Sequence, residues 1–175
     1  GECTIVMENK GYAGFVFDDT FTPRFALQTL ADGGAQYLEM TKKEPWPVFL
    51  DIKPEDVLTT NVLGFNKEMT AIYMTDSRNR NTAALTQMKL ATQQMAVLAQ
   101  DELADIEDII VHPLHKTILA AASHYERKSW QFLDNQVARD FEYLRTLESG
   151  DVEITSTTQD HNFWIVAFLR DDGPV

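Results

Sequence analysis

Short runs in which apolar and polar positions alternate, separated by clusters of turn residues, dominate the chain. Residues 14–17 lead into Asp18-Asp19-Thr20-Phe21-Thr22-Pro23, and a second apolar run covers 24–30. The same figure recurs three times. Residues 62–65 meet Asn66-Lys67-Glu68 before 70–75; residues 109–111 meet His112-Pro113-Leu114-His115-Lys116 before 117–123. Residues 153–158 meet Gln159-Asp160-His161-Asn162 before 163–169. Strand, polar turn, strand is the pattern of a β-hairpin. The last residues before the four turns, Phe17, Phe65, Val111 and Thr158, stand 48, 46 and 47 residues apart. Between the first and second hairpins two further strands are predicted, at 35–40 and 47–52, and between the second and third two more, at 83–90 and 94–99. Four strands per interval of this length make one blade of a β-propeller. Spacing by itself leaves an all-β sandwich open, although sandwich turns fall every 8–12 residues or so without a longer period.

After Trp130-Gln131-Phe132-Leu133 the period changes. Val137, Phe141, Leu144 and Leu147 fall on one face of a 3.6-residue repeat. Asp134 or Asn135 is suited to cap the start and Gly150 to follow the end, so a helix is predicted over 135–147. It stands where a fourth strand is expected. Residues 90–100 are rich in Ala and Gln and have helix propensity. Their place between a third strand and the next repeat predicts a strand instead. The expected fold is all-β: a partial β-propeller of about three blades with one amphipathic helix, forming a single domain over 1–175.

Composition narrows the partners. Of 175 residues, 44% are hydrophobic and 24% charged, an ordinary globular balance, and the formal net charge is -12. Such a surface repels phosphate backbones and anionic membranes, so neither nucleic acid nor a membrane is an expected partner. No apolar run approaches the roughly 18 residues of a transmembrane helix. Cys3 is the single cysteine, so no intrachain disulfide forms; the compartment, cytoplasmic or periplasmic, stays open. The start, Gly1-Glu2-Cys3-Thr4-Ile5-Val6, reads as a strand entered midway, and Asp171-Asp172-Gly173-Pro174-Val175 as a turn. Both ends are expected to be cuts through a longer protein.

One stretch carries a resemblance. It contains Ala104-Asp105-Ile106 before a strand, His112-Pro113, residues 120–125 with Glu126-Arg127, and Trp130. Leu133-Asp134, the helix and Gly150-Asp151-Val152 follow, then Ser156, Asp160, Trp164-Ile165-Val166-Ala167 and Asp171-Asp172-Gly173-Pro174. In order and spacing these resemble the propeller of prolyl oligopeptidase-family serine peptidases, in the acylaminoacyl-peptidase and dipeptidyl-aminopeptidase branch. Asp76-Ser77-Arg78-Asn79-Arg80-Asn81-Thr82-Ala83-Ala84-Leu85 looks like that family's strand-turn-strand feature. The resemblance implies a parent enzyme in which an α/β-hydrolase domain of the same polypeptide carries a Ser-Asp-His triad. The propeller would admit short peptides and refuse folded proteins. The alternative is a free-standing propeller that binds a partner and has no enzymatic domain.

Within the chain, little points to catalysis. None of Ser77, Ser123, Ser129, Ser149 and Ser156 is flanked two residues away on both sides by Gly, as a nucleophile elbow requires. No βαβ alternation is visible. No catalytic residue, metal ligand or cofactor is therefore expected, and no substrate-binding residue is assigned. His112 and His115 stand three apart with Pro113 between, so no helix presents them together. They read as turn residues, and His124 with Glu126 as no more than a remote addition to a metal set. Asp18-Asp19 and Asp171-Asp172 read as turn carboxylates. Trp46, Trp130 and Trp164 read as core between blades. Arg127 and Arg78-Asn79-Arg80 read as solvated loop, with a substrate carboxylate in the parent's cavity as the other possibility.

Overall fold

The computed structural model describes residues 2–5 and 7–171; the expectations for Gly1, Val6 and Asp172-Gly173-Pro174-Val175 lie outside the described residues. Four antiparallel sheets follow one another along the chain. The first is β1 (Gly14–Phe17), β2 (Pro23–Thr29), β3 (Ala35–Glu39) and β4 (Val48–Ile52). The second is β5 (Asn61–Phe65), β6 (Ala71–Asp76), β7 (Ala84–Lys89) and β8 (Met95–Ala99). The third has three strands, β9 (Ile106–Val111), β10 (Ile118–His124) and β11 (Lys128–Phe132), and is followed by α1 (Asn135–Leu147). The fourth has two, β12 (Asp151–Thr157) and β13 (Trp164–Leu169). In each sheet every strand pairs with its neighbour in sequence, so among the described residues no strand is exchanged between sheets. This is a partial, propeller-like array. Residues 2–5 form no strand, which corrects the expectation of a strand at the N-terminus.

Period-two alternation explains how the sheets stack. In β6, Ile72 and Met74 point into the seam with the first sheet, where they meet Phe25, Tyr37, Leu50 and Ile52. Tyr73, between them, points the other way and joins Leu85 and Ala99 against Ile106, Ile118 and Ala121 of the third sheet. A sheet covered on both faces has no solvated side, and its strands read as unbroken apolar runs. In β10, Ala120, Ala121 and Ala122 are all essentially inaccessible, small side chains that let sheets close in from both sides. The third seam joins Ile110, Leu119 and Ala120 to Val152 of the fourth sheet through Val137 and Phe141 of α1.

The helix begins where Asp134, in extended backbone, accepts hydrogen bonds from the amides of Gln136 and Val137 at 2.8 and 3.0 Å. That satisfies two of the donors a helix start leaves without partners. Of the four residues on its apolar face, Val137 and Phe141 are buried and Leu144 partly so, while Leu147 is exposed.

The same hairpin turn is built four times. Phe21, Met69, Lys116 and His161 all adopt left-handed backbone, with φ of 59, 56, 54 and 61°. At the head of each of these turns a side chain accepts from amides two to five residues ahead; in the fourth, Thr158 Oγ1 takes Phe163 at 3.2 Å. Asp18 Oδ1 takes Thr20 and Thr22, Asn66 Oδ1 takes Thr70 and Ala71, and His112 Nδ1 takes Leu114 and His115. Asp and Asn do this in turns generally; here an imidazole does the same.

A second repeated device fastens each connecting segment to the next sheet. Asp56, between β4 and β5, accepts at Oδ1 from Ser77 Oγ at 2.8 Å. Asp101, between β8 and β9, accepts at Oδ2 from Ser123 Oγ at 2.7 Å. Glu148, between α1 and β12, accepts at Oε1 from Arg170 Nη1 at 3.4 Å. The acceptors are spaced 45 and 47 residues apart and the donors 46 and 47, the interval of the hairpins themselves. Ser77 and Ser123 are buried, whereas Glu148 and Arg170 are exposed, so the third fastening is an ion pair in water.

The Ser123 hydroxyl, then the Leu103 amide, holds the Asp101 carboxyl below its ordinary range. A carboxyl lowered on folding contributes stability above its unfolded pKa of about 3.9, and that contribution is lost as pH falls through the folded value. Ser123→Ala is therefore expected to flatten the acid limb of a stability-against-pH curve measured by urea unfolding. An acid limb identical to that of the original chain would remove this fastening from the account.

Candidate functional site

The first strands of three consecutive sheets share one wall. β1 comes up against β5, and a cavity of about 240 Å³ is lined by Phe17 of β1, by Leu63, Gly64 and Phe65 of β5, and by Ile109 and Val111 of β9. Tyr73 and Ile118, one strand further out, form its floor. Each first hairpin carries a register shift: at Val16/Phe17, Val62/Gly64, Ile118/Ala120 and Ile154/Ser156. Such bulges increase local twist. Phe17 and Leu63 remain 49% and 42% exposed on it. Over its mouth Lys116 Nζ pairs with Asp19 Oδ1 at 3.2 Å, clasping the first-hairpin tips of the first and third sheets. The cavity is lined mostly by apolar side chains, with the Asp19–Lys116 ion pair at its lip.

The residues considered for chemistry are dispersed into structural roles. Ser77 and Ser123 are held by the linker carboxylates, and Ser77 also bonds Thr59 and Thr60. Ser129 and Ser156 lie within β11 and β12, and Ser149 bonds Glu148 at the surface. Among the described residues no group of three or more His, Cys, Asp or Glu side chains is placed to hold a metal ion. His124 and Glu126 are exposed, and His124 ends β10 at the opposite end from His112 and His115. The expectation for Asp18 is met, since its carboxyl is kept low first by the Thr20 hydroxyl. Asp19 goes beyond a turn role by pairing with Lys116.

Three expectations need correction or refinement. Trp130 and Trp164 line the third seam, but Trp46 does not sit between sheets. It lies beside β4, its ring 5.3 Å from Tyr12 and its Nε1 donating to the Thr41 carbonyl. Arg78 is not a solvated loop residue: its Nε donates to Asp76 Oδ1 at 2.7 Å, and its guanidinium reaches the Met95 thioether. Arg127 pairs with Asp171 across the third and fourth sheets, an ion pair at an exposed site.

Two features were missed by reading the sequence. Lys128, 9% exposed, donates to Asp108 at 2.6 Å and to Glu153, with its ammonium 5.0 Å over the Trp130 ring. Burial works against its charge, but the bonds to Asp108 and Glu153 prevail and raise its pKa. The second is a contact of imidazoles. His161, from the fourth sheet's hairpin, packs 5.5 Å from His112, which in turn lies 4.3 Å from His115. A cavity of about 560 Å³ opens beside them under α1.

Over its whole length the chain is similar to two peptidases. It is 33% identical over 176 residues to dipeptidyl aminopeptidase BIII of Pseudoxanthomonas mexicana, covering 100% of this chain and 26% of that protein. It is 25% identical over 183 residues to dipeptidyl peptidase family member 6 of Caenorhabditis elegans, covering 99% of this chain and 25% of that protein. The chain thus spans about a quarter of the length of the curated relatives it matches. No family model matches it, and no solved structure does.

Proposed function

We propose that this relative of dipeptidyl peptidases is the blade-bearing, substrate-gating portion of a serine peptidase that cleaves short peptides. The single observation that carries the reading is the match of the entire chain to one quarter of two such peptidases. The fold supports it, because sequentially paired sheets with converging first strands are the way a propeller builds its central wall. In a closed ring the cavity bounded by Phe17, Leu63 and Ile109 would face the axis. The 1–175 segment acts as one unit, and its partner is an α/β-hydrolase domain of the same polypeptide. That domain supplies the nucleophile, the base and the oxyanion donors. The chain's own residues shape the way in.

The isolated chain is expected to turn over no fluorogenic dipeptidyl substrate and to take no label from a serine-directed phosphonate. A serine hydroxyl is a poor nucleophile until a positioned base takes its proton, and Ser77 and Ser123 already give theirs to carboxylates. In the full-length enzyme, deleting β1–β4 should raise cleavage of long peptides relative to dipeptidyl substrates. Turnover by the chain alone, abolished by mutating one of its five serines, would refute the reading. An unchanged long-to-short preference after the deletion would refute the gating role.

A further inference from the structure

The hairpin tips of the third and fourth sheets meet through imidazole rings, and the geometry points to a proton-sensitive latch formed by His112 and His161. His112 is fixed by its own turn. Its Nδ1 accepts from the amides of Leu114 and His115 at 3.2 and 3.3 Å, the place that Asp18 and Asn66 fill in the first two sheets. An imidazole accepts at Nδ1 only while that nitrogen is unprotonated. Proton uptake there turns an acceptor of two hydrogen bonds into a donor facing two donors. Asp and Asn cannot fail in this way near neutral pH; histidine can.

His161 supplies the second half. Both of its ring nitrogens are buried without a hydrogen-bond partner. Its ring is pinned between His112 at 5.5 Å and Trp164 at 4.9 Å, and the Trp164 indole donates to its carbonyl. Burial, then the neighbouring His112, lowers its pKa; Asp134 at the cap of α1 and Asp140 within it pull the other way and are outweighed. Asp160, on the same turn, is occupied by Thr158 and Asn162. From the third sheet's turn, His115 stacks on the far face of His112 and Lys116 is drawn off to Asp19. No carboxylate therefore lies bonded to either ring among the described residues.

The sign follows. A histidine whose folded pKa lies below its unfolded value of about 6.5 adds stability above that value, and the addition is lost as pH falls through it. Acid thus places a charge on the His161 ring, whose nitrogens have no hydrogen-bond partner, against the His112 imidazole at the opposing tip. The buried members of the seam around Phe141, namely Ile110, Leu119, Ala120, Val137 and Val152, are apolar, so the seam stays closed. The device loosens the rim, beside the Asp19–Lys116 clasp, without dismantling the sheets.

The test uses the intact chain. Imidazole nitrogen spectra at neutral pH should show His112 protonated at Nε2 and not at Nδ1. Urea midpoints should fall as pH is lowered from about 7.5 to about 5.5, with each unit by which His161 is lowered worth about tenfold in the folding constant. His112→Asn keeps the turn acceptor and removes the imidazole that faces His161, so its midpoint at neutral pH should match the original chain and its acid loss should shrink. His161→Gln should shrink the loss as well. A His112 protonated at Nδ1, or acid profiles of both variants superimposable on the original, would overturn the latch. His112→Asn less stable at neutral pH yet with the same acid loss would overturn it too.

Discussion

Phe141→Ala is expected to cost about 3–5 kcal/mol, the range for truncating a fully buried aromatic ring. Its side chain is 0% exposed, and its ring lies 5.0 Å from Phe132, 5.4 Å from Trp130 and 6.1 Å from Trp164. These come from β11 and β13 on either side of α1, so one side chain knits the third sheet, the helix and the fourth sheet together. The helix has little else to hold it, since Tyr143 and Leu147 are exposed and only Val137 and Phe141 are buried. Truncation should therefore release α1 as well as open a cavity. Urea unfolding gives the stability, and helix content by circular dichroism shows whether α1 goes with it. A loss under about 1 kcal/mol, small for a core truncation, would make the helix an appendage on the third seam. Phe141→Leu, which keeps most of the volume, should lie well between the two.

Gly150→Ala is the second large effect, and its origin is backbone geometry. Gly150 has a φ of +115°, and a Cβ there would stand 2.5 Å from the Leu169 carbonyl oxygen and 2.9 Å from its carbon. Neither contact can relax by moving a flexible side chain. Leu169 is the residue that pairs with Asp151 at the start of the β12–β13 ladder. Forcing a side chain into such a conformation costs about 1–3 kcal/mol, and overpacking adds a similar amount. A total of about 2–6 kcal/mol is expected. Gly11→Ala separates the two contributions. That residue also has positive φ, +102°, but nothing lies within 4 Å of its Cβ position. If the two substitutions prove equally mild, the close approach to Leu169 does not constrain the ladder.

The strands, the helix and their order were legible because period and spacing are properties of a single chain. The Asn135–Leu147 helix was read to its ends, and β8 was recognised as a strand in spite of the alanines and glutamines of 90–100, because the repeat required one there. Boundaries elsewhere moved by one to three residues: β9 starts at Ile106 rather than 109, since Glu107 and Asp108 broke the apolar run. Side-chain roles were less legible. Trp46 looked like its two counterparts, but sits outside the seams because the segment before β4 folds back on Tyr12. Nothing in the sequence singled out Lys128; its partner Glu153 arrives from the next sheet, 25 residues on. His161 seemed an ordinary turn residue, and only the convergence of two hairpin tips puts it against His112. The linker fastenings did leave a trace, since Asp56 with Ser77 and Asp101 with Ser123 recur at the interval of the hairpins.

Those fastenings also say where one copy of the repeating unit ends and the next begins. Each carboxylate belongs to the connecting segment and grips a residue at or just past the end of the second strand of the sheet it leads into. A unit cut at the start of a first strand would leave its anchor behind on the previous copy. A unit cut at the tip between β3 and β4 would carry linker, anchor and receiving strand away together. Duplication, recombination or grafting of these modules should succeed in the second frame and fail in the first. The anchor pair can change chemistry from Asp and Ser to Glu and Arg without breaking phase, so the inherited quantity is the distance of 21 or 22 residues between grip and receiver rather than their identities.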